Sequence, residues 1–543
     1  MKQYLREKFS AALAGLGLKP DAPPTFEKPR VAEHGDLTTN IAMVLAKGSG
    51  LPPRQLAEKI LQRLGLEASL VEAVEIAGPG FINIRFSAGF YRHQLGEIIG
   101  KGASYGRSDI GGGLKTQVEF VSANPTGPLT VGHGRGAVYG DTVARLLEWT
   151  GHGVTREYYF NNAGRQMRIL GDSVRLRYLE LLGGTGAFPD DHYQGEYIRD
   201  IARHLESSRG STLREEPAEG LFKQQAENEI FEDIKGTLRR LGVIHDVFYN
   251  ENTLYEEGHV SAVIAELKAK GLAYEQEGAL WFAASRFGLE KDKVIVKSTG
   301  EPTYRLPDIA YHREKIRRGF RLIVDVLGAD HIATYPDVLA GLSALGEDPG
   351  CVKVLIHQFV TILQEGATVK MSTRKANFIT LDDLMDEVGA DVVRYFFLMR
   401  SIGSHLNFDL ALAKQQSEEN PVYYLQYAHA RIASIVRHAE SQKVGRNLQP
   451  DFSLLQEAEE MSLMRLLTQF PDMVESCALT FEPHRLAEYL QEVAGGFHRF
   501  YHVHRVVTDD KGMTAARMGL SLAAKTVLAN GFSILGITAP EKM

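Results

Sequence analysis

The sequence predicts an α/β protein in which a mostly parallel sheet lies between a small α/β module and an all-helical bundle. Residues 115 to about 400 alternate short apolar runs with helical patterns, as expected for strands joined by crossover helices. From about residue 405 onward strand-like runs vanish and long helical patterns remain, which is typical of a helix bundle. At 543 residues the chain exceeds what one core supports, so several domains are expected.

The first module spans residues 1–108. Its apolar run over residues 9–18 contains two glycines and no convincing cleavage site, so it is interpreted as part of an amphipathic first helix rather than as a signal peptide. Helical segments flank residues 33–40, and a strand is predicted over residues 78–86. Three consecutive glycines at residues 111–113 predict a linker to the next domain.

The central domain, residues 109–404, begins with a strand–loop–helix–strand unit. An alternating apolar run around Val118 ends in a Pro/Gly loop, the loop opens into a helix that stops near Gly151, and a strand follows over residues 154–160. In such a unit the loop and the helix N-terminus face the carboxyl ends of the strands, where nucleotide phosphates bind. The loop offers glycines for close backbone approach and two side-chain donors: Gly132, Gly134, Gly136, His133 and Arg135.

The rest of the central domain is predicted to contain a helical, charged insertion at about 170–275. Beyond it the apolar runs return, and we assign them to the same mostly parallel sheet. These strand candidates cover residues 279–282, 294–296, 322–327 and 352–356.

Composition and charge exclude several classes of protein. A net charge of −7 is evidence against a generic nucleic-acid binder, although a large enzyme can hold RNA with local patches. Taken alone, the basic stretches at residues 165–177 and 312–321 are interpreted as solvated helix faces. Cys351 and Cys477 are too far apart to predict a disulfide framework or a zinc cluster, so we expect a cytoplasmic protein without a structural metal. No run reaches the ~20 apolar residues of a membrane span, and no membrane partner is expected.

Two short motifs resemble the signatures of class I aminoacyl-tRNA synthetases. Residues 130–133, Thr-Val-Gly-His, resemble His-x-Gly-His, and residues 370–375, Lys-Met-Ser-Thr-Arg-Lys, resemble Lys-Met-Ser-Lys-Ser. Residues 303–312, together with Glu119 and Asn124, look like the arginine pocket of arginyl-tRNA synthetases. Residues 420–431 resemble the start of that family's anticodon-binding bundle, and residues 35–42 and 80–83 resemble its N-terminal domain, which touches the tRNA D-loop.

This resemblance covers essentially the whole chain and implies a fold and a reaction. The fold is a Rossmann-like catalytic domain at 109–404 with a helical insertion, a D-loop-contacting domain at 1–108 and an anticodon-binding bundle at 405–543. The reaction is ATP-dependent activation of arginine to arginyl-adenylate, followed by transfer to the 3′ end of tRNA(Arg). The implied partners are L-arginine, tRNA(Arg) and ATP with Mg²⁺, and the implied state is a monomer.

The resemblance also implies the site residues. The catalytic set is His133, Thr130, Lys370, Arg374 and Lys375. The ATP-binding set is Ala123, Asn124, Pro125, Thr130, Val131, Gly132, His133, Lys370, Met371 and Ser372. The arginine-binding set is Glu119, Ser122, Asn124, His133, Tyr304, Asp308, Asp330 and His331. The tRNA-binding set is Phe81, Asn83, Tyr424, Tyr427, Arg431 and Met543.

The chemistry of arginine fits two carboxylates in this set. A guanidinium is planar, permanently charged and carries donors in a fork that matches a carboxylate, so its pocket should contain at least one. Glu119 lies near the end of a strand and Asp308 follows Tyr304 by four residues. Taken alone, Glu119 would be an edge-strand surface charge and Asp308 a helix N-cap; the three matches together favour the pocket.

Two positions depart from the family pattern. Thr130 replaces the first signature histidine, and a threonine donates one hydrogen bond but carries no charge. Thr373 replaces the later lysine of the second signature, beside Arg374 and Lys375. Two alternatives are considered. The lack of cysteines for a zinc site and the carboxylate-rich pocket speak against a cysteinyl or other class I synthetase, and Thr130 alone supports a catalytically weak paralogue that binds tRNA or arginine for regulation.

Overall fold

A computed structural model describes residues 2–20, 22–29, 31–364, 366–368, 379–441 and 450–543 of the chain. Its N-terminal module contains a three-stranded antiparallel sheet with β3 in the middle, in the order β1-β3-β2. The predicted first helix is amphipathic, because Leu5, Phe9 and Leu13 recur along one face and are fully buried. The elements are α1 (Lys2–Gly15), β1 (Leu37–Thr39), α2 (Ile41–Ser49), α3 (Pro53–Arg63), β2 (Val71–Ala77), β3 (Phe81–Phe86) and α4 (Ala88–Lys101).

The central domain is built on a five-stranded parallel sheet in the order β11-β10-β4-β5-β6. This confirms the predicted α/β class. The first half of the domain contains β4 (Lys115–Glu119), α5 (Val131–Trp149), β5 (Gly153–Phe160), α6 (Gly164–Leu181), α7 (Glu196–Arg209), α8 (Lys223–Arg240), β6 (Val247–Asn250), α9 (Asn252–Glu256) and α10 (His259–Ala269). The second half contains β7 (Ala273–Gln276), β8 (Ala279–Phe282), β9 (Lys293–Val296), α11 (Arg305–Arg317), β10 (Leu322–Gly328), α12 (Tyr335–Leu345), β11 (Val352–His357), β12 (Val360–Gln364), β13 (Ala367–Thr368), α13 (Leu381–Val388), α14 (Ala390–Leu398), β14 (Leu406–Asp409) and α15 (Leu410–Lys414).

Three details of the strand prediction are wrong. β6 falls inside the segment predicted as a helical insertion, yet it pairs with β5 at the edge of the parallel sheet. β8 and β9 do not join that sheet but form a separate antiparallel sheet with β7. β14 lies beyond residue 405, where no strand was expected, and pairs in parallel with β12. These four strands have four residues each, and so short a run does not reveal its pairing partner.

The C-terminal bundle consists of α16 (Pro421–Ser441), α17 (Ala458–Thr468), α18 (Phe470–Thr480), α19 (Pro483–Val503) and α20 (Lys511–Leu535). α20 has the length and mean hydropathy, 1.3, of a membrane span, but 67% of its most apolar window is buried inside the protein. It packs against α4, α5, α16, α17 and α19, so it is the central helix that joins the bundle to both other domains.

Candidate active site

The loop between β4 and α5 is held in a strained conformation at the carboxyl end of the sheet. Val121 and Ser122 have φ of 71° and 43°, which side chains with a Cβ rarely adopt. Ser122 Oγ donates to Glu119 at 2.9 Å and accepts from the backbone N–H of Tyr159 at 3.1 Å. These bonds tie the loop to β4 and β5 and compensate for the strain.

The residues predicted to bind ATP continue this loop. Asn124 is exposed and its Oδ1 accepts from the backbone N–H of Asn161 at 3.0 Å, while Pro125 is buried. The carbonyl of Ala123 accepts from the Tyr158 hydroxyl at 2.8 Å. Val131 is buried at the first position of α5 and therefore offers only backbone to a ligand.

His133 is oriented by Thr130, the N-cap residue of α5. The Thr130 backbone N–H donates to His133 Nδ1 at 3.1 Å, and the Thr130 hydroxyl lies 3.2 Å from the same atom. Burial lowers the pKa of His133, so its ring is neutral at pH 7. Because Nδ1 accepts, the proton lies on Nε2, and Nε2 is the donor that His133 can present to a phosphate.

The glycines and Arg135 of this helix have different neighbours from those predicted. A Cβ at Gly134 would lie 2.6 Å from Leu381, and one at Gly136 would lie 3.2 Å from His357, so these glycines serve helix packing. Gly132 is exposed, and a Cβ there would meet only Thr130 Oγ1 at 3.6 Å, which leaves room for a ligand. The prediction that Arg135 supplies a donor to a ligand is wrong, because the side chain is fully buried and donates to the carbonyls of Gln358, Ser401 and Ser404.

Beside this loop lies a group of carboxylates and polar side chains that we call the acidic pocket. It consists of Glu119, Tyr159, Asn161, Glu251 and Asp308. Glu251 accepts from the Tyr159 hydroxyl at 2.9 Å and from Asn161 Nδ2 at 2.8 Å. Burial raises the pKa of Glu251 despite these two bonds. The pocket therefore concentrates negative charge at low solvent access, which favours a cationic ligand.

Asp308 is the carboxylate of this pocket that remains available. No donor among the described residues hydrogen-bonds its side chain. Its backbone N–H donates to the Tyr304 carbonyl at 3.3 Å, and His312 Nδ1 lies 2.8 Å from its backbone carbonyl. Burial raises the pKa of Asp308 to about 7, with Glu119 and Glu251 adding to the shift and His312 and Lys315 opposing it. By contrast, Glu119 is already paired with Lys315 Nζ at 2.5 Å. Asp308 is thus the group best placed to receive a guanidinium.

Glu251, Tyr159, Asn161 and Lys315 were missed by the sequence reasoning. Glu251 follows β6, and a carboxylate directly after a strand of the parallel sheet is a recognisable signal. It was overlooked because β6 was assigned to a helical insertion. Lys315 was included in a stretch interpreted as a solvated face, whereas its side chain is fully buried.

Other predicted arginine-binding residues lie at the rim or elsewhere. Tyr304 is 85% exposed at the N-cap of α11, one turn before Asp308, so it does not enclose the acidic pocket in this conformation. Asp330 and His331 follow β10 and are both exposed, 3.7 Å apart. Burial lowers the pKa of His357, the charge of His133 lowers it further, and the charge of Asp330 raises it. Because His357 is influenced by both residues, Asp330 and His331 lie on the His133 side of the site.

The second signature lies outside the described residues, and with it Lys370, Met371, Ser372, Arg374 and Lys375. The chain re-enters the described part at Ile379. Thr380 forms an antiparallel bridge with Thr130, and the Leu381 N–H donates to the Leu129 carbonyl at 2.8 Å. The described chain therefore resumes beside the first signature.

Most of the predicted tRNA-binding side chains in the bundle line one groove. This aromatic groove has a volume of about 1230 Å³, and Arg431 Nη1 donates to the Tyr427 hydroxyl at 2.6 Å. The Arg431 guanidinium also lies 4.9 Å from the centre of the Tyr501 ring, and Tyr427 stacks on His498 at 5.9 Å. The groove is lined by Tyr424, Tyr427, Arg431, His498, Arg499 and Tyr501, among others.

The remaining predicted tRNA contacts divide into exposed and buried residues. Phe81 is 37% exposed at the start of β3. Asn83 is buried between β1 and β2, so it presents little surface to RNA. Met543, which belongs to the predicted tRNA-binding set, is 55% exposed. The residues just before Met543 are bound to the bundle, because His429 Nδ1 of α16 lies 2.8 Å from the Pro540 carbonyl and Lys525 Nζ of α20 lies 2.7 Å from Glu541 Oε1.

Three family models match successive parts of the chain. The model for the arginyl tRNA synthetase N terminal domain matches residues 3–86, that for the class I (R) tRNA synthetase catalytic domain matches residues 98–394, and that for the DALR anticodon binding domain matches residues 425–543. The chain is 53% identical to an arginine–tRNA ligase of Desulfotalea psychrophila, over 96% of this chain and 94% of the relative. It is 51% identical to one of Chlorobium phaeovibrioides over the full length of both.

A solved structure shares the fold over the whole chain. The arginyl-tRNA synthetase of Thermus thermophilus superposes with a TM-score of 0.79 at 23% identity and covers 100% of both chains. Domain models, full-length relatives and fold thus agree with the resemblance that the two signatures and the acidic pocket indicate. The chain belongs to the arginyl-tRNA synthetase family.

Proposed function

We propose that this protein is an arginine–tRNA ligase that activates arginine with ATP and transfers it to the 3′ end of tRNA(Arg), releasing pyrophosphate and AMP. Asp308 carries the proposal: it is a carboxylate with no described hydrogen-bond donor, in a pocket of negative charge beside the first signature. The chain is 53% and 51% identical to two proteins named arginine–tRNA ligase, over 96% and 100% of its length, which supports the same activity here.

The chemistry that the site must support is adenylation. The arginine carboxylate attacks the α-phosphorus of ATP, the bond to the β-phosphate oxygen breaks, and pyrophosphate leaves. The 2′-hydroxyl of the terminal adenosine of tRNA then takes the arginyl group from AMP. Positioning and charge stabilisation dominate such transfers. His133 Nε2–H donates to the α-phosphate in this proposal, and the exposed backbone at Gly132 lies against the adenine.

We assign the second signature to the leaving pyrophosphate. Lys370, Arg374 and Lys375 supply positive charge there, and Met371 and Ser372 complete the ATP site. The support is that Thr380 pairs with Thr130 of the first signature and that the Leu381 N–H donates to the carbonyl of Leu129, the residue before it. Magnesium enters with ATP, whose phosphates are its ordinary ligands. Among the described residues no group of three or more acidic, histidine or cysteine side chains is arranged to hold a metal.

The aromatic groove is proposed to read the anticodon. Single-stranded RNA loops are recognised by stacking on aromatic rings and by hydrogen bonds to base edges. Tyr424 and Tyr427 offer rings for stacking, and Arg431 offers hydrogen-bond donors. All three line a groove wide enough for nucleotides. Phe81 is the corresponding exposed ring of the N-terminal domain. We further propose a monomer in the cytoplasm, where the free thiols of Cys351 and Cys477 stay reduced.

Thr130 is the observation that favours a second candidate, a regulatory paralogue with weak catalysis. Against it, Thr130 holds His133 by its backbone N–H, a bond that does not depend on which side chain is present. The intact hydrogen-bonded loop favours an active enzyme.

The test is charging of tRNA with arginine compared with citrulline, together with ATP–pyrophosphate exchange with and without tRNA. We expect charging of arginine alone, and exchange that requires tRNA, because a bound partner can stabilise the competent state. Similar efficiency with citrulline would remove the arginine pocket from the proposal. Binding of tRNA without charging would favour the regulatory paralogue, and robust exchange in RNA-free enzyme would overturn the tRNA requirement.

A further inference from the structure

Three buried carboxylates lie side by side across the parallel sheet. Asp325 of β10 is paired in register with Glu119 of β4, and Glu119 is paired with Glu157 of β5. Their exposed fractions are 1%, 5% and 0%. Like charges directly opposite each other destabilise a sheet, and a buried carboxylate needs a partner. This carboxylate row therefore requires cations from the layer that covers it.

One face of α11 supplies those cations. Lys315 Nζ lies 2.5 Å from Glu119 Oε2 and 2.7 Å from Asp325 Oδ1. Glu157 is held separately, by Arg318 Nη1 at 2.9 Å and the Tyr311 hydroxyl at 2.7 Å. His312 Nε2 completes the row at 2.8 Å from Asp325 Oδ2. Residues 311, 315 and 318 follow the spacing of one helix face.

Lys315 connects this row to the acidic pocket. Asp308 lies two turns earlier on the same helix, and Glu119 belongs to both groups. Burial and the charges of Glu119 and Glu251 act to raise the pKa of Asp308, while His312 and Lys315 act to lower it. Burial alone would lower the pKa of Lys315, but Asp325 and Glu119 outweigh it and keep the ammonium charged. Lys315 is fully buried, so it acts on a substrate only through these carboxylates.

We propose that Lys315 is a positioning residue that sets the charge of the arginine pocket: by pairing with Glu119 and Asp325, it leaves Asp308 as the carboxylate that receives the substrate guanidinium. This inference rests on the proposed function.

The charged and titratable groups that face Lys315 determine how its replacement would change arginine binding. They are Glu119, Asp325, Glu157, Asp308, Tyr311 and His312. Without the ammonium, Glu119 and Asp325 face each other uncompensated, and ionisation of the neighbouring Asp308 becomes less favourable. Arginine binding should then require a higher pH.

The experiment measures the KM for arginine and the KM for ATP in the charging reaction from pH 6 to 9. The variants are Lys315→Met, Lys315→Met/Asp325→Asn and Arg318→Gln. For Lys315→Met we expect the KM for arginine to rise about fivefold at pH 7, because a rise of one unit from a pKa of about 7 lowers the ionised fraction of Asp308 from about one half to about one tenth. The midpoint of its pH profile should move upward, with recovery toward pH 9 and an unchanged KM for ATP. The double variant should return toward the parent because the removed charges cancel.

Arg318→Gln is the matched control, since it removes a cation from the same row on the side away from Asp308. It should lower the melting temperature without moving the pH midpoint. If Lys315→Met keeps the parental midpoint, or if Asp325→Asn gives no rescue, Lys315 has only a structural role. If circular dichroism shows that Lys315→Met does not fold, the single variant Asp325→Asn tests the inference instead. The midpoint of its pH profile for the KM of arginine should move downward, and an unmoved midpoint overturns the inference. Failure of the parent to prefer arginine over citrulline would instead defeat the proposed function.

Discussion

The acidic pocket and the aromatic groove differ in the sign of their charges and in how deeply those charges are buried. In the pocket, the carboxylates come from the end of β4, from the residue after β6 and from α11, and Asp308 is left without a donor among the described residues. In the groove, half-buried rings lie at stacking distances and the Arg431 guanidinium rests over Tyr501 and Tyr427. The pocket is thus specialised for one small cation, and the groove for flat, polar and anionic partners.

This difference has an energetic consequence. A buried carboxylate that loses its cationic partner has nothing to replace it, so errors in the pocket are costly. A groove of several stacked rings distributes its binding over many contacts, so the loss of one is tolerated better. Substitutions in the two regions should therefore differ in size and in the substrate whose binding they affect.

The largest effect is expected for Asp308→Asn. Removing the available carboxylate should cost about 2–5 kcal/mol of arginine binding, because the guanidinium loses a charged partner in a desolvated site. The KM for arginine should rise strongly while the KM for ATP changes little. Asp190→Asn, which changes an exposed carboxylate between α6 and α7, is the control in the same charging assay. Equal effects on both substrates would mean that Asp308 supports the fold rather than the pocket.

A slightly smaller effect is expected for His133→Ala. Loss of one preorganised donor to a developing charge typically lowers kcat about 10²–10³-fold. Single-turnover kinetics should show slower adenylation with nearly unchanged arginine affinity. Thr130→Ala serves for comparison and should cost less, because the backbone N–H of residue 130 continues to hold the ring. Near-parental kinetics for His133→Ala would remove this residue from the active site.

In the groove, Arg431→Ala should raise the KM for tRNA alone. Stacking and cation–π contacts to a base are worth about 1–3 kcal/mol each, so a rise of roughly tenfold is expected. Charging measured at saturating tRNA should keep its KM for arginine. Arg437→Ala, an exposed arginine further along α16, is the control. A changed KM for arginine would show that the two regions are not independent.

The smallest effect is the pH dependence of the parent. The pKa of Asp308 is raised to about 7, so its carboxyl is protonated below that pH and ionised above it. Arginine stays cationic throughout, so the KM for arginine should fall as pH rises, by about tenfold between pH 6 and 8. The KM for ATP is the internal reference. A flat arginine profile would place the binding charge on a carboxylate other than Asp308.

Local sequence patterns were sufficient to predict the domain order, the parallel sheet and the glycine-containing loop from β4 into α5. These features depend on local signals: periodicity over a few residues, glycines in a loop, and an N-cap before a helix. The amphipathic α1, the loop from β4 into α5 and the helical bundle all follow from such patterns. His133 could be singled out for the same reason, because its role depends on the residues immediately around it.

Which charged side chains are paired and which are available to a ligand depends on contacts between distant segments of the chain. Lys315 and Glu119 are 196 residues apart, and Arg135 reaches carbonyls more than 220 residues away. Neither partnership leaves a local pattern, so a buried lysine was interpreted as a solvated one and a packing arginine as a ligand donor. β6 was missed similarly, since four residues acquire strand character only beside β5. Burial and pairing are properties of contacts between distant segments, and these contacts distinguish Asp308 from the carboxylates around it.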